Sequence, residues 1–330
     1  MANPSVIAQS TNGRTGLFAF RVNRHRRQLW LLSSVAIVLS LLGMAISWLS
    51  PSIRAPLRPG LDFTGGTQIQ IERLCEPSCA DLKLGSLEAS LRTLKLPSAE
   101  EGEPAPALSA AAVQLLDGGR SVVMRLPSLS PDQAELVLNT IGPVVGETVP
   151  GDLSVDTIGP TLGAQLLKAS LLSLLVSFVG ISLYITFRYD RVYALLALLC
   201  LAHDVLITCG LFAWLGLVFG VEVNSLFAVA LLTIAGYSVN DTVVIFDRIR
   251  EKRNELKELP LADQSDEAVI STLTRSVYTS LTTLLPLIAL IFFGGSTLFW
   301  FAIALSFGIV IGAWSSIAVA PTLLPVLSRR

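Results

Sequence analysis

Hydrophobic residues gather in six long runs, separated by shorter polar stretches. The runs are Leu29–Leu49, Leu162–Phe187, Val192–Leu217, Ser225–Phe246, Ser276–Phe293 and Leu298–Ala320. A helix crosses the hydrocarbon core of a bilayer in about 20 apolar residues, with a range of roughly 17–25. Each run therefore predicts a membrane span. The first contains Ala45-Ile46-Ser47, which reads as a signal-cleavage pattern. Its apolar stretch is long for a signal peptide, so an uncleaved anchor is expected.

Between spans one and two the pattern changes. Thr67–Arg73 reads as a strand, and Ser78–Leu96 has helical spacing at Leu82, Leu84, Leu87, Leu91 and Leu94. Ala112–Leu116 and Val122–Leu126, joined by Asp117-Gly118-Gly119, read as a hairpin. Ser130-Pro131 starts a second helix, with Ser130 as its cap. A last strand lies near Leu153–Ile158. The order β-α-β-β-α-β is that of a ferredoxin-like domain. The expected fold is a polytopic α-helical membrane protein with six transmembrane helices and a ferredoxin-like domain inserted between helices 1 and 2. The expected divisions are a basic tail (1–28), helix 1 (29–49), the inserted domain (50–160) and a five-helix bundle (161–330) with a cytoplasmic loop at 248–274.

Charge supplies the orientation. Of the 330 residues 52% are hydrophobic and 15% charged, against about 25% charged in soluble proteins. The net charge of −1 gives no reason to expect a nucleic-acid partner. Its distribution says more. Arg14, Arg21, Arg24, Arg26 and Arg27 precede span one; Arg188 and Arg191 follow span two; Arg248, Arg250, Lys252, Arg253 and Lys257 follow span four; Arg329 and Arg330 end the chain. The other short connections carry no Lys or Arg. The positive-inside rule puts both termini and the 248–274 loop in the cytoplasm and the inserted domain on the periplasmic side. In that compartment Cys75 and Cys79 are a candidate disulfide.

The chemistry lies in polar residues inside the spans. Asp241, with Asn240 and Thr242, interrupts span four six residues before its exit at Asp247-Arg248. That is about 9 Å deep at a rise of about 1.5 Å per residue. A charge at the bilayer centre costs at least about 2.5–3.5 kcal/mol, so a buried acid points to function. Span three carries His203-Asp204. Adjacent helical residues point about 100° apart, so the two are not expected to face one partner. They either tie neighbouring helices together or relay protons. Thr272, Arg275–Ser276, Thr279 and Thr283 form a polar stripe at the start of span five. It suits close helix packing and equally a wet path. Arg275 either reaches the headgroups or partners Asp241. No phosphate-binding glycine loop faces the cytoplasm, and no Cys/His cluster suggests a metal. Neither cofactor nor enzyme activity is expected.

Four segments resemble the SecD/SecF family of protein-export membrane proteins, within the resistance-nodulation-division (RND) superfamily. They are Gly60-Leu61-Asp62-Phe63-Thr64-Gly65-Gly66-Thr67; Ala202-His203-Asp204-Val205-Leu206-Ile207-Thr208; Gly236–Val244 with Phe246–Arg250; and Thr274-Arg275-Ser276 with Thr279–Thr283. Asp62, Gly65 and Gly66 mark the first. The resemblance implies an RND-type half in the bacterial inner membrane, or a thylakoid membrane for a photosynthetic source. It implies pairing with SecD, work on the SecYEG translocon, YajC as a further candidate partner, contact with lipid, and unfolded secreted polypeptide as cargo. The pair would use the proton gradient to pull chains outward after the ATP-driven stage. The same resemblance assigns Asp241 and Arg275 to the proton pathway; His203 and Asp204 match the pattern without an assigned role.

Two rivals remain at this point. One is a proton-coupled exporter of a small molecule. The other is an intramembrane aspartyl protease using Asp204 and Asp241 as a dyad, although the Gly-x-Gly-Asp pattern expected there is missing.

Overall fold

The computed structural model describes residues 21–75, 82, 84–98, 105–108, 111–116 and 119–328. In chain order its elements are α1 (Arg26–Leu49), the one-turn α2 (Leu61–Thr64), β1 (Gly66–Arg73), α3 (Leu84–Thr93), β2 (Ala112–Leu116), β3 (Ser121–Leu126), α4 (Pro131–Val145) and β4 (Thr148–Ile158). Then come α5 (Pro160–Arg188), α6 (Arg191–Val218), α7 (Ser225–Glu255), α8 (Leu261–Phe293), α9 (Gly295–Trp314), a π-helical turn at Ser315–Val319 and α10 (Ala320–Leu327). Among the described residues six helices are long and apolar enough to cross a membrane, α9 and α10 together making the last. The chain is a polytopic helical membrane protein. It divides into two units, Pro59–Ala169 and the remainder.

The Pro59–Ala169 unit is built on a four-stranded antiparallel sheet in the order β2-β3-β1-β4. Along β1 the residues alternate, with Ile69 and Ile71 buried and Gln68, Gln70 and Glu72 less so. The period of two sends the isoleucines to one face. There they join Leu87 and Leu91 of α3, Val122 and Met124 of β3, and Val137 and Ile141 of α4 in one core. Arg73 also points inward. Its Nε donates to the Val145 carbonyl at 2.8 Å and its Nη1 to that of Gly119 at 2.9 Å, so the buried cation is hydrogen-bonded. At the start of α4, Ser130 Oγ accepts from Gln133 N and Gln133 Oε1 accepts from Ser130 N, a capping box.

In the other unit the buried face of α1, apart from Leu29, is made of small residues. Ser33, Ser40, Gly43 and Ser47 are buried, while Leu31, Leu32, Val35, Val38, Leu39 and Leu42 are exposed. Lipid is as apolar as leucine, so helices in a bilayer gain most by close approach. A Cβ on Gly210 of α6 would lie 2.1 Å from the Ser40 side chain, and one on Gly43 would lie 2.6 Å from the Trp214 indole. Trp214 Nε1 also donates to the Leu39 carbonyl at 2.9 Å. Along α5 nearly every side chain is exposed or half-buried, as suits a helix wrapped by lipid.

The segment 248–274, expected as a loop, is mostly helix. The end of α7 and the first turns of α8 fill it, leaving Leu256–Pro260 as the connection. Gln264 Nε2 closes that connection by donating to the carbonyls of Leu256 and Leu259, both at 2.8 Å. At the amino end Asn23 is tied to α8. Its backbone N donates to Asp266 Oδ1 at 3.0 Å and its Nδ2 to the same oxygen at 2.8 Å.

Candidate functional site

Asp241 lies on the face of α7 that packs against α8, and only 7% of it is exposed. Its Oδ1 accepts a hydrogen bond from Ser276 Oγ at 2.8 Å. Its Oδ2 is buried with no hydrogen-bond partner among the described residues. A carboxylate has room for about four hydrogen bonds. One donor leaves this acid far from satisfied as an anion.

For Arg275 the sequence leaves two readings, the headgroups or Asp241. The residue lies on the exposed side of α8, and among the described residues no ion pair joins it to Asp241. Adjacent helical residues point about 100° apart, so with Ser276 turned to α7, Arg275 turns away. The same geometry separates Asn240 and Thr242. Asn240 is exposed, whereas Thr242 is buried and shares a 2.8 Å hydrogen bond with Ser316 Oγ.

The buried polar face of α8 is Thr272, Ser276 and Ser280, spaced four apart. This corrects the expected stripe, because Thr279 is exposed and Ser280 takes its place. Tyr237 Oη donates to Ser280 Oγ at 3.1 Å, one turn along α7 from Asp241. On the other side Arg248 Nε donates to Ser271 Oγ at 2.8 Å. Between α7 and α8 the sequence thus builds three polar rungs with Asp241 in the middle.

His203 and Asp204 bind each other, against the expectation from helical geometry. His203 Nδ1 lies 2.8 Å from Asp204 Oδ1. Asp204 Oδ2 accepts from Ser238 Oγ of α7 at 2.5 Å and from Ser315 Oγ of the π turn at 2.8 Å. Asp204 is fully buried, and His203 Nε2 is buried without a partner. This knot joins α6, α7 and the π turn, as the bundle-tying reading of these residues would have it. It also separates the two acids: among the described residues no hydrogen bond links Asp204 to Asp241, and each has its own partners.

Ser315 and Ser316 lie in a stretch, 298–320, whose pattern predicts only a plain apolar span. The π turn lets these consecutive residues both face the bundle, one toward Asp204 and one toward Thr242. The available signal was a Ser-Ser pair shortly before Pro321, which has no amide proton to continue the helical ladder.

In the other unit the Gly65-Gly66 pair takes positive φ angles of 69° and 124°. A Cβ on Gly66 would sit 2.6 Å from the Leu126 carbonyl oxygen, and one on Gly163 would sit 2.8 Å from Gly65 N. The motif is thus a close backbone crossing at the start of α5. Asp62 is half-buried in the α2 turn beside it. Cys75 is disulfide-bonded, Cys200 and Cys209 are free, and Cys79 lies outside the described residues. Among the described residues no three His, Cys, Asp or Glu side chains gather as a metal site would require.

Comparison with known proteins decides the family. The model of the protein-export membrane protein SecD/SecF C-terminal region matches residues 139–330, and that of the SecD/SecF GG motif matches residues 54–72. The chain belongs to the SecD/SecF family of protein-export membrane proteins. It is 53% identical to the protein translocase subunit SecF of Prochlorococcus marinus, over 93% of this chain and 95% of that one. It is 42% identical to the SecF subunit of Synechocystis, over 89% and 90%. The crystal structure of SecDF from Thermus thermophilus superposes with a TM-score of 0.75 at 30% identity, covering 99% of this chain and 42% of that longer one. These relationships make the chain a protein-transport subunit of the Sec pathway. The candidate site in this chain is Asp241 with Ser276 in contact, apart from the knot around Asp204.

Proposed function

We propose that this chain is the SecF-type half of a SecD–SecF pair that uses the proton gradient to draw secreted polypeptides outward through SecYEG. Asp241 carries the proton. The observation behind this is the state of its carboxyl group: buried in a span, bonded through one oxygen to Ser276 and unpartnered at the other. Such a group is costly as an anion and is relieved by taking up a proton.

Arg275 tunes this exchange from its exposed position. When its charge approaches, the anion is favoured and the proton leaves; when it withdraws or is hydrated, the acid form returns. Opening Asp241 to opposite sides of the membrane in the two states makes the exchange directional. One charge falling through 100 mV releases about 2.3 kcal/mol, and each pH unit adds about 1.4 kcal/mol. Energies of that size shift a two-state equilibrium substantially.

The Pro59–Ala169 unit is read as a ferredoxin-like domain on the periplasmic side. Its antiparallel order β2-β3-β1-β4, with helices after β1 and β3, supports the first half of that reading. The alternation of basic and neutral connections supports the second, with both termini cytoplasmic. A SecD partner is supported by a Thermus thermophilus relative named SecDF, 37% identical over 82% of this chain but only 34% of its own length.

The direct test is proton flux. Proteoliposomes holding the chain with SecD are given an inward proton gradient, and internal acidification is followed with a pH dye. Asp241→Asn is expected to abolish the wild-type flux while still co-purifying with SecD. Wild-type flux in Asp241→Asn would refute the role of Asp241.

A further inference from the structure

The rung formed by Tyr237 and Ser280 has no role in the exchange as described so far. Yet it is the polar contact nearest the Asp241–Ser276 pair along the same helix interface. Tyr237 precedes Asp241 by four residues on α7, and Ser280 follows Ser276 by four on α8. Residues four apart share a helix face, so both pairs lie on one seam. In the proposed orientation α7 runs from the outer side at Ser225 to the cytoplasm at Glu255. The Tyr237 rung is then about 6 Å nearer the outer surface than Asp241, at a rise of about 1.5 Å per residue.

Three further observations give the rung a direction. Tyr237 Oη donates to Ser280 Oγ, so the phenol proton already points from the half-buried Tyr237 to the more buried serine. Ser280 is 9% exposed and Ser276 1%. Beyond them stands Asp241 Oδ2, buried and without a donor. Hydroxyl groups both accept and donate, which is the property a proton relay needs.

We infer that Tyr237 and Ser280 form the outer limb of the proton path, handing protons from the outer side to Asp241. This rests on Asp241 as the proton carrier and extends it outward. In the transfer, a hydronium ion on the outer side gives a proton to the Tyr237 oxygen as the Tyr237 O–H proton passes to Ser280 Oγ. Ser280 releases its own proton to a water spanning the next turn, and that water passes one to Asp241 Oδ2. Each hydroxyl gains one proton and loses one, and the carboxylate becomes the acid. Neither hydroxyl ionises overall.

The test uses the same proteoliposomes with SecD, comparing wild type, Asp241→Asn, Tyr237→Phe, Ser280→Ala and Ser280→Thr. Tyr237→Phe keeps the ring and removes only the relay oxygen; Ser280→Thr keeps a hydroxyl. Tyr237→Phe and Ser280→Ala are expected to lower proton flux at least about tenfold, as loss of a positioned proton-transfer group does. Ser280→Thr is expected to restore most of it. All variants should co-purify with SecD and unfold at wild-type temperature, which separates relay from packing. Wild-type flux in either Tyr237→Phe or Ser280→Ala, with Asp241→Asn inactive, overturns the relay and leaves Asp241 in place. Wild-type flux in Asp241→Asn overturns the carrier itself, and the relay with it.

Discussion

Ser276 Oγ donates a 2.8 Å hydrogen bond to Asp241 Oδ1, across the seam between α7 and α8. The immediate partner of the intramembrane acid is thus a neutral hydroxyl. Arg275, the next residue back, makes no ion pair with Asp241 among the described residues. In the proposed cycle a neutral contact suits Asp241, because it holds the carboxyl in place in both charge states. A direct ion pair would bind the anion more strongly and oppose re-protonation.

Ser276→Ala removes that contact and leaves both carboxyl oxygens without a donor. Loss of a hydrogen bond to a charged group costs about 1.5–3 kcal/mol. Gradient-driven export should slow by about tenfold or more, since about 1.4 kcal/mol is one factor of ten. Ser276→Thr should retain most activity. The check is the export rate into vesicles, with co-purification of SecD as a control for assembly.

Asp204 acts on stability. Asp204→Ala strands His203 and Ser238 and leaves Ser315 only the Gly312 carbonyl, and each buried polar group left unsatisfied typically costs about 1–3 kcal/mol. Its unfolding temperature in detergent should fall clearly. Asp204→Asn, which keeps an acceptor oxygen, should lose less. Equal stability in all three proteins would show that the knot does not hold the bundle together.

The Gly-Gly motif makes a steric prediction. Gly66→Ala meets the Leu126 carbonyl at 2.6 Å and needs φ of 124°. Left-handed backbone alone costs an L-residue roughly 1–2 kcal/mol. Gly180→Ala in α5 meets nothing within 4 Å and should be neutral, within about 0.5 kcal/mol. Limited proteolysis of the two variants should show accelerated cleavage in the Pro59–Ala169 unit of Gly66→Ala alone.

A fourth prediction concerns helix packing. Gly210→Val drives a branched side chain into Ser40, which a single Cβ would already approach to 2.1 Å. Separation of α1 from α6 should lower the unfolding temperature. Replacing Ser40 by Gly in the same chain should recover part of the loss, and failure of that rescue would argue against direct contact.

The spans and the intramembrane acid were legible because burial in lipid imposes a strong, local signature. Runs of apolar residues mark the helices, and Asp241 stands out by its cost alone. Which side chain meets which was less legible. Arg275 and Ser276 are neighbours in sequence, and only the rotation of α8 against α7 decides that the serine points inward. The His203–Asp204 contact was likewise hidden, because the argument from 100° spacing treats side chains as radial spokes and ignores rotamers that bring neighbours together. Ser315 and Ser316 could not be placed without the π turn, which breaks the 3.6-residue period on which reading a helix face depends. The α1 interface also inverted the usual rule, since Ser33, Ser40, Gly43 and Ser47 face protein while most of its leucines and valines are exposed.

The central claim is that the protonation of Asp241 drives export. It is tested most directly by gradient-driven export of a secretory chain into vesicles carrying SecYEG, SecD and this protein, with ATP removed after the chain has entered. Wild type should complete export when a proton gradient is imposed, and Asp241→Asn should leave the chain arrested under the same gradient. Completion at the wild-type rate by Asp241→Asn would contradict the account.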